Sequence, residues 1–294
     1  MRFRSSVLAA TAAALAAVGG TAVAGYDGGS GDRGNDYKFA TIKDGTKLVV
    51  FGDRHSDQTR IHGLNPGEIV VGIDVRPTDG DGATNGQDAG KLYGVGKQGS
   101  VGRVFEIDPR SGQVKNAQTL SVALSGSYFG VDFNPTVDRL RITSDSDQNL
   151  RANADTGVTL TDANLAYPPG DRRAAVNPSA VGAGYTYAPF GGQTSLYDVD
   201  TADPDFFVIQ NPPNAGTLNS IGPIGVNAGG QLGFDVAGRT SFAAYELAQQ
   251  GDRAKLYELK FNRNGKASDT GLTLRGTNYD GLAVLNGYGD GGSY

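Results

Sequence analysis

Three aspartates recur in one phrase of the sequence. Asp74 lies in Gly72-Ile73-Asp74-Val75-Arg76-Pro77, Asp132 in Gly130-Val131-Asp132-Phe133-Asn134-Pro135, and Asp235 in Gly233-Phe234-Asp235-Val236. Carboxylates at equivalent places of a repeated unit can converge on an axis, where they would hold a hard cation such as calcium or the hydroxyls of a ligand. A repeated Asp can also cap a turn or pair with a basic residue of the next unit, and the sequence leaves both uses open.

Further candidates are amides. Gln210-Asn211-Pro212-Pro213-Asn214 is rich in side-chain amides stiffened by proline, and Gln148, Asn149 and Arg151 form a second polar cluster. Such groups offer paired donors and acceptors to a sugar or peptide, or satisfy the backbone of a long connection. Asp145, Asp147 and Asn149 match the first three ligand positions of a calcium loop. However, Leu150 stands where the loop needs glycine and Thr156 where it needs glutamate. Thr78-Asp79-Gly80-Asp81-Gly82 has a similar acidic texture and reads more readily as a solvated loop.

Enzyme templates find little purchase. The chain has no cysteine, so thiolate nucleophiles, disulfides and Cys-ligated metals are excluded, and histidine chemistry would rest on His55 or His62. Neither lies near a Gly-x-Ser-x-Gly elbow. The four glutamates include Glu106 and Glu258 in matching outer-strand positions, with Asp198 read as their counterpart, and Glu68 in a turn; no tuned acid stands out. Gly94-Val95-Gly96-Lys97-Gln98-Gly99 resembles a nucleotide loop but leads to another strand, so no helix N-terminus faces a phosphate.

The elements that must position these residues are strands. A second phrase follows the first, at Lys91 to Val95, Arg139 to Thr143 and Ser241 to Tyr245. A third follows at Val104 to Asp108, Ser195 to Asp200 and Lys255 to Lys260. Each alternates β-branched, aromatic and polar residues, and turns such as Pro109-Arg110-Ser111-Gly112 and Ala154-Asp155-Thr156-Gly157 close hairpins. Gly72 to Gly130 spans 58 residues, Gly130 to Gly233 spans 103, and Gly233 to Gly281 spans 48. A period of about fifty with four strands per unit predicts an all-β propeller, because a lone four-stranded sheet cannot cover both its faces. The first unit, Tyr37 to Leu64, lacks an opening strand, whereas Gly281 to Asn286 is an opening strand without a unit behind it. Pairing the two closes a ring of five blades. The fourth opening strand, Val181 to Thr186, lacks the aspartate, which keeps a six-bladed ring or a β-sandwich open as alternatives.

Three strings stand out: Gly-Val-Asp-Phe-Asn-Pro-Thr-Val-Asp-Arg-Leu-Arg-Ile at 130–142, Gln-Asn-Leu-Arg at 148–151, and Gln-Asn-Pro-Pro-Asn-Ala-Gly-Thr-Leu at 210–218. They resemble a family of secreted bacterial proteins, domain of unknown function 4394. The resemblance extends over about residues 37–286 and departs at the insertion Thr78 to Gly90 and at the fourth opening strand. It implies a propeller-like repeat protein and brings no activity with it.

The ends and the composition set the context. Arg2 and Arg4, an apolar run from Val7 to Val18, and Ala22-Val23-Ala24 predict a signal peptide over 1–24 and export by the general secretory route, with no cysteine for a lipid anchor. Residues 25–36 read as a flexible lead-in, 37–286 as the propeller and 287–294 as a tail. The formal charge of −5 becomes about −7 without the two leader arginines, which argues against nucleic acid and anionic membranes as partners. The expected protein is an exported, soluble, monomeric propeller. It would bind glycan, cell-wall material or another protein without catalysis, using the three aspartates and the amide clusters. The alternative is a carboxylate- or calcium-dependent hydrolase or lactonase at the channel.

Overall fold

The computed structural model describes residues 37–52, 55–77, 90–188, 192–238 and 242–285. The expected leader, the lead-in, the tail and residues 78–89 of the insertion, with the acidic loop from Thr78 to Gly82, lie outside them.

Strands β1 (Phe39–Lys43), β2 (Lys47–Phe51) and β3 (Ser56–Arg60) open the chain. Three complete sheets follow: β4 to β7 (Ile69–Val75, Leu92–Gln98, Val101–Ile107, Val114–Thr119), β8 to β11 (Phe129–Asn134, Arg139–Ser144, Asn149–Ala152, Thr159–Thr161), and β12 to β15 (Ala180–Tyr185, Leu196–Asp200, Phe206–Gln210, Leu218–Pro223). The last is β16 to β19 (Leu232–Ala237, Ala243–Gln250, Arg253–Lys260, Lys266–Arg275), after which comes the single strand β20 (Tyr279–Val284). Each sheet is a four-stranded antiparallel meander, and the fifth has the order β20-β1-β2-β3. The opening strands β20, β4, β8, β12 and β16 contact one another in a closed ring. The protein is a five-bladed β-propeller whose first blade is completed by its C-terminal strand, as the repeat pattern predicts.

One strand assignment changes. Ser195 to Asp200, read from its texture as a third-strand phrase, forms β13, the second strand of the fourth blade. There Asp198 faces Ala183 of the opening strand. The alternating pattern of a short strand marks its faces but not its rank in the blade.

Blades adhere through their faces. Val71, Tyr93, Val95 and Val104 of the second blade pack on Phe129, Val131, Phe133, Leu140 and Ile142 of the third. Ile42 and Leu48 of the first meet Ile73, Leu92 and Phe105 of the second, and Val199 and Phe207 of the fourth meet Phe234 and Val236 of the fifth. A backbone clasp adds to this packing at three joints. The chain leaving one blade donates an amide to the glycine in the last hairpin of the next: His62 to Gly112, Ser121 to Gly157, and Ala166 to Gly216. Gly157 must be glycine: its φ is +71°, and a Cβ there would lie 2.1 Å from the carbonyl oxygen of Thr119.

Closure rests on β20. It pairs with β1 from Phe39↔Val284 to Lys43↔Tyr279, and Leu282, Val284 and Leu285 are buried against the first, second and fifth blades. Burial of three such side chains contributes about 5–9 kcal/mol, comparable to the whole stability of an ordinary domain. Ending the chain before Tyr279 should therefore abolish the cooperative thermal transition, whereas removing residues 287–294 should leave it nearly in place. Equal effects of the two truncations in a melting experiment would contradict closure by this strand.

Candidate functional site

The three repeated aspartates come together on the ring axis. One carboxylate oxygen from each lies within 4.8 Å of the others, and the residues are buried, at 2%, 1% and 0% exposure for Asp74, Asp132 and Asp235. Their partners are backbone amides of the opening strands. Asp74 accepts from its successor Val75 at 2.6 Å and from Phe133 of the next blade at 2.7 Å. Asp132 accepts from Tyr185 of the fourth blade at 2.9 Å. Asp235 accepts from Val236 at 2.5 Å and from Val284 of the first blade at 2.7 Å.

The pattern has a simple logic. In each opening strand the amide one residue past the aspartate position points at the channel and needs an acceptor, since a buried unpaired amide is costly. An aspartate in one blade serves the amide of the next. Where the preceding blade has no aspartate, because Gly184 or Ala283 occupies the position, the aspartate one residue before the amide serves it instead. Five amides thus engage five carboxylate oxygens, and the sixth, Oδ2 of Asp132, has no partner. An aspartate at position 184 would not fit, as a Cβ there would lie 2.8 Å from both Phe234 and Val236. Burial, followed by the charge of neighbouring aspartates, pushes Asp74 and Asp132 well above the usual carboxylate range, and burial pushes Asp235 to about 7.

The amide clusters meet elsewhere, at the joint between the third and fourth blades. Apolar residues there are fewer, chiefly Leu165, Tyr167, Phe206, Val208 and Leu218, and a buried guanidinium takes their place. Arg141 donates to Tyr185 Oη, to the side-chain oxygens of Asn149 and Asn214, and to Asp162. Asn149 donates to the carbonyls of Ala163 and Pro213, and Gln210 donates to Asn149 and Pro213. Arg151 holds Asp162 through two bonds. Gln148 instead bonds the amide of Ser125 and the carbonyl of Ala123, in the connection between the second and third blades, and the backbone amide of Asn211 bonds to Thr217. Arg141, Asn149, Asn214 and Gln210 fasten the third and fourth blades together, and Asn149 and Gln210 are buried. The calcium-loop candidates have other roles: Asp145 accepts the amides of Ser127 and Tyr128, and Asp147 sits in a left-handed turn with φ +62°. Among the described residues the channel aspartates are the one set of three acids with metal-ligand spacing.

Sequence reasoning misplaced one acid, Asp198, and passed over another, Glu246. Asp198 and Glu246 occupy matching places on the second strands of the fourth and fifth blades, opposite Ala183 and Phe234. Both are fully buried, and none of their four carboxylate oxygens has a hydrogen-bond partner. The signal was available, since an acid stands at an inward position of an alternating strand. Glu106 and Glu258, by contrast, lie on third strands facing Tyr93 and Tyr245, as read. Glu106 pairs with Lys91 and Glu258 with Lys260.

Burial, with the charge of Asp205 adding to it, pushes Glu246 up to about 8 from 4.5. Between those values the folded chain retains a proton that the unfolded chain releases, so stability falls as pH rises across that window, by an amount on the order of 5 kcal/mol. Glu246→Gln should flatten this part of the stability profile and melt above the parent at pH 8. Parallel profiles for the two proteins would refute the assignment.

An open cleft of about 840 Å³ lies where the first and second blades meet. Leu48, Val50, Phe51 and Leu285 form its apolar part, and Lys38, His55, Asp57, Gln58, Thr59 and Arg110 its polar part. Sequence reasoning had no access to it, because it joins the two ends of the ring to a hairpin of the next blade. No helix among the described residues is long and apolar enough to cross a membrane.

The chain is similar to a Dos1 propeller structure (12% identity, TM-score 0.40, covering 86% of this chain and 57% of that one). It is also similar to a protein of unknown function from Bacteroides caccae (6%, 0.44, 86% and 100%) and to the allergen Mala s 1 of Malassezia sympodialis (11%, 0.42, 85% and 91%). No curated protein matches the sequence. The model of one family matches residues 47–283, which include all three aspartates and the polar joint around Arg141: the chain belongs to the family described as domain of unknown function (DUF4394).

Proposed function

We propose that this is an exported, noncatalytic binding protein that holds a polyhydroxylated ligand, such as a glycan of cell-wall material, in the cleft beside its first blade. The observation that carries this reading is the contrast between the two sites. The carboxylates with the chemistry for hydrolysis are enclosed and engaged by backbone amides, while the cleft is open and sized for a ligand. Its donors and acceptors, at His55, Asp57, Gln58 and Thr59, surround an apolar floor with Phe51, the combination that hydroxyl-rich rings require. The competing reading, a channel hydrolase or lactonase, needs a substrate carbon to reach Asp74, Asp132 or Asp235, and their burial opposes it.

The test is titration with soluble cell-wall oligosaccharides, alongside an assay for ester, lactone and glycoside hydrolysis with and without calcium. Saturable binding weakened at least tenfold by His55→Ala and Gln58→Ala, with no turnover, is the expected result. Both positions are exposed, so the substitutions should leave the fold intact. Hydrolysis, or binding indifferent to both substitutions, overturns the reading.

A further inference from the structure

The channel aspartates carry a second inference, independent of the cleft. We propose that Asp74, Asp132 and Asp235 bind a single calcium ion on the ring axis. Three observations support it.

The first is size. Oxygens on opposite sides of a calcium ion lie about 4.6–5.2 Å apart, and those around magnesium no more than about 4.2 Å. One oxygen from each of the three carboxylates lies within 4.8 Å of the other two, inside the span that a single calcium ion bridges.

The second is the oxygen left over. With Oδ1 of Asp132 bonded to the Tyr185 amide, Oδ2 is buried beside two other carboxylates and has no donor. A buried acceptor of this kind is costly unless something electropositive fills the space before it. The backbone amides account for five oxygens and stop there.

The third is charge. No described lysine or arginine is paired with any of the three, although buried arginines lie close by in sequence. Arg76 is bound to Asp138 and Asp155, and Arg141 to Asp162. Ionising all three carboxyls at this distance requires a counter-ion, and three carboxylates suit a divalent one. Gly184 and Ala283 at the other two positions keep the set at three acids. The carboxylates fill three places of a six- to eight-fold shell and leave the rest to water. Because the site is enclosed, the ion enters as the ring forms.

The experiment is refolding of the full chain from denaturant in calcium, in magnesium or in a chelator, followed by desalting and metal analysis. One calcium per chain and a melting temperature several degrees above that of the chelator sample are expected, with magnesium not retained. Asp132→Asn, which replaces the unpartnered oxygen with an amide nitrogen, should lose the ion. Absence of calcium from the wild-type protein, equal retention of magnesium, or one calcium still held by Asp132→Asn overturns the proposal. Should that variant not fold, anomalous scattering from wild-type crystals grown with terbium decides: a peak among the three aspartates supports the site, and a peak elsewhere refutes it.

Discussion

A propeller brings its opening strands together around a common axis, and the amides that face that axis have no neighbouring strand to bond. The structure meets this constraint with aspartates that accept from the backbone of the following blade. The same bonds fix how far each blade is rotated against the next, so that its packing faces meet. Three acids serve five amides because a carboxylate can bond both the adjacent blade and the residue after itself. The economy explains how Gly184 and Ala283 can break the repeat without leaving an amide unpaired.

The five joints are not equivalent. Most are filled with aliphatic and aromatic side chains, with Arg76 crossing from the second blade to Asp138 and Asp155 of the third, whereas the third and fourth blades are joined around Arg141, which holds Tyr185, Asn149, Asn214 and Asp162, with Gln210 bonded to Asn149. Apolar packing tolerates exchange among residues of similar volume, but a buried guanidinium tolerates little, since each lost partner leaves a charge exposed to a dry interior. The three strings that mark the family converge there. Their polar residues answer to the geometry of the joints and the channel, and by themselves they say little about a ligand.

Much of the fold was legible because its causes are local. Phrases such as Gly130-Val131-Asp132-Phe133 expose the repeat, and the orphan phrases at the two ends expose the closure. The convergence of Asp74, Asp132 and Asp235 followed from their equivalent positions. Their partners did not follow, because a backbone amide is present at every residue and only the angle between blades selects which one is met. The misplacement of Asp198 has the same origin: without the register between strands, second and third strands look alike. Glu246 lay in plain sight as an acid at an inward position, but its solitude depends on neighbours from a distant part of the chain. The cleft depends on three remote segments, and no pattern in any one of them announces it.

The hybrid first blade also sets an order of events. Strands β1 to β3 are the first to be synthesised and the last to be completed, because Val284 must pair with Phe39 across nearly the whole chain. Until then β1 offers an open, apolar edge with Phe39, Ala40 and Ile42 along it, and such edges recruit other chains. The neighbouring β3 is largely exposed, and its sequence Ser-Asp-Gln-Thr-Arg is polar throughout. Of the two edges of this unfinished sheet, the one that must wait for the last strand to cover it is therefore the sticky one. The safety of the nascent chain rests on how quickly its last strand arrives.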